Sequence, residues 1–347
     1  MSAPIDHGGG VTAAAAAFGG RPKNWLDLST GINPCPVALP EIPTRAWHRL
    51  PDSYLVDAAR RAARDYYDSG EILPLPVAGT QSVIQLLPRL LRQRSQFAMT
   101  DDKVAVTDDK VAVVSPTYGE YARAFASAGF AVDAVDDIAA IGGQHRLAVV
   151  VNPNNPDGRV WPAEALAALH DRMKSANGLL VVDEAFGDTD PALSLAARAQ
   201  ELPNLIIFRS FGKFFGLAGL RLGFAIAPED ILARFEDWLG PWAVSGPALS
   251  LAASLLRSDV AAIRRCLDDR SAALQAALSA AGLRIKGGTA LFTLVADIRA
   301  SDIYTHLCRH HILVRKFDYA PDWLRFGLTP DPAADNRLSA ALQGFER

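Results

Sequence analysis

The residue in this sequence best placed to do chemistry is a lysine in a glycine-rich, apolar stretch. Residues 209–223 read R-S-F-G-K-F-F-G-L-A-G-L-R-L-G, directly after the strand-like run 205–208. Buried lysine is costly unless it is neutralised or bonded. An imine to an aldehyde meets that need and makes the amine of Lys213 a covalent participant. Ser210, just before it, and Arg221, just after, can both reach a phosphate dianion. Alone, S-x-x-K reads more often as a solvated surface loop.

Other residues join it, each at the end of an apolar run. Residues 181–186 read V-V-D-E-A-F, which puts Asp183 at the carboxyl end of a buried strand, where open α/β sheets bind ligands. A carboxylate there can pair with a protonated pyridine nitrogen. At about 3 Å and an effective dielectric near 20, that attraction is roughly 5 kcal/mol before desolvation is subtracted. Residues 151–158, V-N-P-N-N-P-D-G, end a strand in a rigid turn from which Asn155 can donate to a phenolate oxygen. Gly79, Thr80 and Gln81 follow an extended proline-rich segment and open a helix, whose first N–H groups can cradle a phosphate. Tyr118, in S-P-T-Y-G-E-Y, can stack on an aromatic ring. Each has a plainer reading as a cap, a turn or a core aromatic. Their recurrence at successive strand ends argues for one site.

These residues need a scaffold, and the pattern supplies one. The runs 111–114, 147–151, 179–182 and 205–208 are short, apolar and bounded by turn residues, as strands buried on both faces of a parallel sheet are. Helical patterns, such as 54–67 and 164–174, separate them, so the fold class is α/β with a mainly parallel sheet. Past residue 240 a long Ala/Leu-rich helical region, about 247–281, leads to strand-like runs at 290–295 and 312–314 and a final helix. The expected organisation is an arm over 1–45 with a short helix at 12–18, a large domain over 46–240, and a smaller α+β domain over 241–347 joined by the arm. Residues 100–106 and 107–113 both read T-D-D-K-V-A-V. Only one copy can be the strand entering Ser115-Pro116. The unit is far too short for a solenoid repeat, so the other copy reads as a surface loop or extra edge strand.

Bulk properties exclude more than they assign. The 347 residues carry a net charge of −3, which gives no electrostatic footprint for nucleic acid or an anionic membrane. Apolar runs are too short to span a bilayer, and the N-terminus lacks the layout of a signal peptide. Cys35, Cys266 and Cys308 match neither a metal-ligand nor a disulfide spacing. A reduced, cytoplasmic protein with no metal is the simplest expectation.

Taken together, these motifs resemble the fold-type I pyridoxal 5′-phosphate (PLP) family, the class I/II aminotransferases, over essentially the whole chain. The resemblance implies Lys213 as the lysine that carries the cofactor and Asp183 as partner of its ring nitrogen. It assigns Asn155 to the ring oxygen and Gly79, Thr80, Gln81, Ser210 and Arg221 to the cofactor phosphate. Arg325, in W-L-R-F-G-L, falls where the family binds a substrate α-carboxylate.

Within the family the likeness is to the threonine-phosphate decarboxylases. His7-Gly8-Gly9 resembles their H-G-G-N opening, with Gly10 in place of the asparagine. Residues 28–34, L-S-T-G-I-N-P, resemble their second motif, and residues 241–244, P-W-A-V, their P-W-S-V. Phe186 replaces the tyrosine that many aminotransferases place after D-E-A. This implies a substrate phosphate held by His7, Asn33 and Arg315, with Gly31 also at the substrate. It also implies decarboxylation of L-threonine O-3-phosphate in cobalamin biosynthesis, by a homodimer. A histidinol-phosphate-type aminotransferase would share every cofactor residue. A non-catalytic regulator of this fold would need an N-terminal DNA-binding domain, for which 1–45 is too short and too poor in basic residues. Two departures stand out. Leu50-Pro51-Asp52 replaces Y-P-D, whose tyrosine reaches the neighbouring subunit's cofactor phosphate, with Tyr54 the nearby stand-in. Gly212 replaces a hydroxyl residue before the lysine.

Overall fold

The computed structural model describes residues 7–97 and 109–345. Two sheets organise them. The strands, in chain order, are β1 (Leu26–Leu28), β2 (Leu75–Val77), β3 (Lys110–Val114), β4 (Ala131–Val135), β5 (His145–Val151), β6 (Leu179–Asp183), β7 (Leu205–Ser210), β8 (Gly223–Ile226), β9 (Arg284–Thr289), β10 (Phe292–Ala296), β11 (Ile312–Lys316) and β12 (Trp323–Gly327). The larger sheet has seven strands in the order β2-β8-β7-β6-β5-β3-β4. Its core pairs are parallel, and only β8 runs antiparallel to its neighbours β7 and β2. The smaller sheet has the order β1-β11-β12-β10-β9, with β1 parallel to β11.

The apolar runs of the larger sheet have a simple cause. Strand side chains alternate between faces, and both faces here are covered. Leu147, Val149, Val181, Ile206 and Phe208 join one core, while Ala148, Val150, Leu180, Val182 and Ile207 join the other. The second core continues into the smaller sheet through Phe292, Ile312 and Phe326. The same alternation sorts the polar strand ends. Asp183 faces Tyr121 on the helix Glu120–Ser127, and its neighbour Glu184 points the opposite way, into the core side that holds Tyr67.

On that second face lies a buried ion cluster. The Arg209 guanidinium donates to Glu184 at 2.6 Å and to Asp188 at 2.9 Å, and it stacks 4.5 Å over the Tyr67 ring. Ser194 Oγ and the Leu195 N–H also donate to Glu184. Burial lowers the proton affinity of Arg209, but the two carboxylates more than offset this and hold it above the usual range. Near the site, the turn after β5 meets β9 backbone to backbone. A Cβ on Gly158, which has φ +71°, would collide with the Gly288 carbonyl of β9.

Several expectations need correction. The region 247–281 is two helices, Gly246–Leu255 and Ala261–Ala280. Ser258 Oγ donates back to the Leu255 carbonyl, and Asp259 accepts from the Ala261 N–H, so one helix closes and the next begins. Three strands of the smaller sheet are additional to the expected pair: β1 comes from the arm, β9 is an exposed, polar edge strand, and β12 carries an arginine at its centre. Cys35 and Cys266 are joined as a disulfide across 231 residues, a pairing that no local spacing signals, whereas Cys308 is buried and free. Residues 110–113 of the second heptad copy begin β3, and the first copy lies outside the described residues.

The ion cluster yields a prediction. Arg209→Leu leaves Glu184 and Asp188 buried without their cation, so stability should fall by about 3–5 kcal/mol, the usual cost of breaking a buried ion pair. Denaturant unfolding of the apoprotein measures it, and a loss below about 1 kcal/mol would contradict the role given to the cluster.

Candidate active site

A cavity of about 430 Å³ opens at the carboxyl ends of β5, β6 and β7. All the residues singled out from the sequence line it except Asn33 and Tyr54. β6 delivers Asp183, β7 delivers Ser210, and the short helix Phe211–Phe214 carries Lys213. The turn after β5 brings Asn155, and the loop after β3 brings Tyr118. Arg315 and Arg325 come from β11 and β12, and His7 and Gly31 from the N-terminal arm.

The electrostatics suit a nucleophilic amine. Burial lowers Lys213 to about 8, helped by the nearby Arg325 charge and opposed by Asp183. Its Nζ lies 5.9 Å from the centre of the Phe186 ring, which packs edge-on against Phe292. Burial raises Asp183 to about 6, although the Tyr121 hydroxyl and the Ala185 N–H both donate to it, at 2.8 and 3.0 Å. Arg325 is buried, and desolvation with the neighbouring Arg315 charge lowers it to about 10. It donates to Asn155 Oδ1 and, at 2.9 Å, to the Ser29 carbonyl, while its Nε is buried with no partner among the described residues. A buried cation so incompletely satisfied fits an anionic ligand.

The anion cradle is at the helix Thr80–Ile84. Gly79 precedes it with φ +74°, a left-handed conformation that side chains rarely adopt, and a Cβ there would stand 2.8 Å from Arg221 Nη2. The guanidinium therefore lies directly over the glycine, beside Thr80 and Ser210. Gly212 has a packing reason: a Cβ there would lie 2.7 Å from Ala218 Cα, so the hydroxyl residue of the resemblance has no room here. An amine in a desolvated pocket, a carboxylate opposite it and an arginine over a glycine turn fit PLP.

Asn33 corrects the expectation made for it. Its amide nitrogen donates to the Phe214 carbonyl at 2.7 Å and its oxygen accepts from the Cys35 N–H, while its own N–H donates to the Lys213 carbonyl. It ties the arm to the lysine helix and does not face the cavity. Tyr54 lies in a different depression, under Arg45 and beside Leu50 and Trp242. Sequence reasoning missed Glu120, a buried carboxylate that meets His7 Nε2 at 3.0 Å and Gln81 Nε2 at 2.9 Å. It also missed Phe317 and Tyr319, which line the cavity beside Arg315. Glu120 looks like an ordinary acidic first-turn residue in sequence, and only the fold brings His7 to it.

Comparison with known proteins agrees with this geometry. The aminotransferase class I and II family model matches residues 23–342. A threonine-phosphate decarboxylase from Sinorhizobium sp. is 59% identical over 346 residues, covering 100% of both chains. Another from Pseudomonas aeruginosa is 42% identical, covering 99% of this chain and 98% of the relative. The crystal structure of histidinol-phosphate aminotransferase from Sinorhizobium meliloti in complex with pyridoxal-5′-phosphate superposes with TM-score 0.75 at 20% identity, over 98% of this chain and 94% of that one. The family match over nearly the full length, on a fold that gathers an amine, a carboxylate and an anion cradle at one sheet edge, makes this chain a member of the class I and II aminotransferase family and a PLP-dependent enzyme.

Proposed function

We propose that this enzyme decarboxylates L-threonine O-3-phosphate to (R)-1-amino-2-propanol O-2-phosphate, serving cobalamin biosynthesis. The observation that carries the reading is the supply of anion-binding groups around the cavity. Arg221 stands over the Gly79 turn, Arg325 lies near Lys213, and Arg315 and His7 line the wall as well. One arginine answers the cofactor phosphate and a second an α-carboxylate, so Arg315 with His7 answers a further anion on the substrate. The names of the two full-length relatives support the same substrate.

Bound in the cavity, PLP supplies an aldehyde for amines and a protonated ring that accepts electrons. The chain's residues do the selecting. Arg325 would hold the substrate carboxylate and His7 with Arg315 its phosphate, and so would fix the substrate's orientation in the cavity. Asp183 would keep a proton on the ring nitrogen, and Asn155 would donate to the ring oxygen. Breaking of the Cα–carboxylate bond would release carbon dioxide, and Lys213, as its ammonium, would supply the proton that replaces it at Cα. An aminotransferase acting on a histidinol-phosphate-type substrate is the second reading, favoured by the fold likeness to that enzyme. Purified protein with threonine phosphate should release CO₂. Efficient amino transfer from histidinol phosphate, with no CO₂ from threonine phosphate, would overturn the proposal.

The subunits pair as a homodimer in this reading. Leu50 and Trp242, 64% and 58% exposed, share a depression with Tyr54, an apolar group that a second copy would cover. Sedimentation should find a dimer at assay concentration, and an active monomer would count against it.

Lys213→Ala should abolish turnover, and borohydride should no longer fix cofactor mass to the chain. In the wild-type apoprotein, cofactor capture should speed up as pH rises from 7 and level off above about 8, because the neutral amine is the nucleophile and burial puts Lys213 near that value. Capture that is flat across this range would contradict the assignment.

His7→Ala and Arg315→Ala should each lower kcat/KM for threonine phosphate about ten- to a hundred-fold, the worth of a hydrogen bond to a charged group. PLP binding should be unchanged, and the residual rate on unphosphorylated threonine nearly so. Equal proportional losses on both substrates would remove these residues from the phosphate site.

A further inference from the structure

We propose that Tyr121 is a positioning residue: its buried hydroxyl holds Asp183 as a charged acceptor and so keeps a proton on the cofactor's ring nitrogen. The inference rests on the reading of Asp183 as that nitrogen's partner. Tyr121 is fully buried in the helix Glu120–Ser127 and does not line the cavity, so it acts only through what it touches. Its Oη donates to Asp183 Oδ2 at 2.8 Å. The other carboxylate oxygen accepts from the Ala185 N–H at 3.0 Å, so each oxygen has a donor. Packing alone does not call for the hydroxyl, since the ring's edge-on contact with Tyr118 would be made equally by phenylalanine.

The energetic argument is a competition for one proton. Asp183 and the ring nitrogen share it, and the group with the higher affinity keeps it. The charged and titratable groups near Asp183 are Tyr121 and Tyr118 from the helix side, Lys213 from the segment after β7, and Glu184 on its own strand. Burial pushes Asp183 up to about 6 even with both donors in place, and the Tyr121 hydrogen bond is the largest influence holding it down. Tyr121 is itself kept protonated by burial and by Asp183, so it stays a donor. Without the hydroxyl, the carboxyl takes the proton more readily and the ring becomes a poorer electron acceptor.

Tyr121→Phe removes one oxygen and keeps the ring. The wild type, Tyr121→Phe and Asp183→Asn are each reconstituted with PLP labelled with ¹⁵N in the ring, and the ¹⁵N chemical shift is recorded. Tyr121→Phe should move the shift toward neutral pyridine and lower kcat about tenfold, a typical effect of one hydrogen bond to a charged group. Asp183→Asn should move it further. If Asp183→Asn leaves the shift at the wild-type position, the reading of Asp183 is wrong. If Asp183→Asn moves it and Tyr121→Phe does not, the role of Tyr121 is wrong.

Stability of the apoproteins against pH gives a second measurement that needs no cofactor. A carboxyl whose folded affinity is raised adds stability below its unfolded value of about 3.9 and loses it as pH rises through the folded value. In the wild type, Asp183 should therefore contribute a loss of stability between pH 4 and about 6 that then levels off. Tyr121→Phe should go on losing it above 6. Two parallel curves, separated by a constant offset, would mean that the hydroxyl merely packs and would overturn the proposal.

Discussion

The cation of Arg209, sunk between Glu184 and Asp188, sets the frame on which the site is built. It spans β6 and β7 at the level where both strands end, and each partner is the chain neighbour of a site residue: Glu184 follows Asp183, and Arg209 precedes Ser210. Because successive strand residues point to opposite faces, the strands are clamped on one face and present their chemistry on the other. An ion cluster of this kind contributes little net stability compared with apolar packing. What it gives is position, since a carboxylate and an anion donor on adjacent strands cannot drift apart while their neighbours share one guanidinium.

On the opposite face the helix Glu120–Ser127 works in the same manner. Tyr118 donates to Gln81, Glu120 accepts from Gln81 and meets His7, and Tyr121 holds Asp183. The first turn of this helix and the loop just before it thus touch Asp183, Gln81 beside the Gly79 turn, and the arm. The lowered affinity of Lys213 and the raised affinity of Asp183 come from the same desolvation acting on opposite charges.

What was legible in the sequence was what is local. Lys213, Ser210 and Arg221 belong to one short segment, and Asp183 and Asn155 sit at the ends of apolar runs whose burial follows from composition alone. The parallel sheet is legible for the same reason, because strands covered on both faces leave unbroken apolar runs. Other features depend on contacts between distant segments. Tyr121 looks like any core aromatic until β6 brings Asp183 against it, and Glu120 like a helix-start carboxylate until the arm lays His7 on it. Asn33 has the right type for a phosphate donor, yet the lysine helix takes its amide. The Cys35–Cys266 link joins the arm to a helix far along the chain, and β12 hides in sequence because its central residue is the charged Arg325.

The contact between Gly158 and Gly288 has a consequence for how the two sheets can move. With no side chain between them, the backbones have no compressible layer to absorb a shift, so the turn bearing Asn155 must travel with β9 and its neighbours. Arg325, two strands over, is hydrogen-bonded to that same Asn155. The smaller sheet and the turn after β5 therefore form one mechanical unit, and an opening of the cavity that keeps this contact carries Asn155 and Arg325 together.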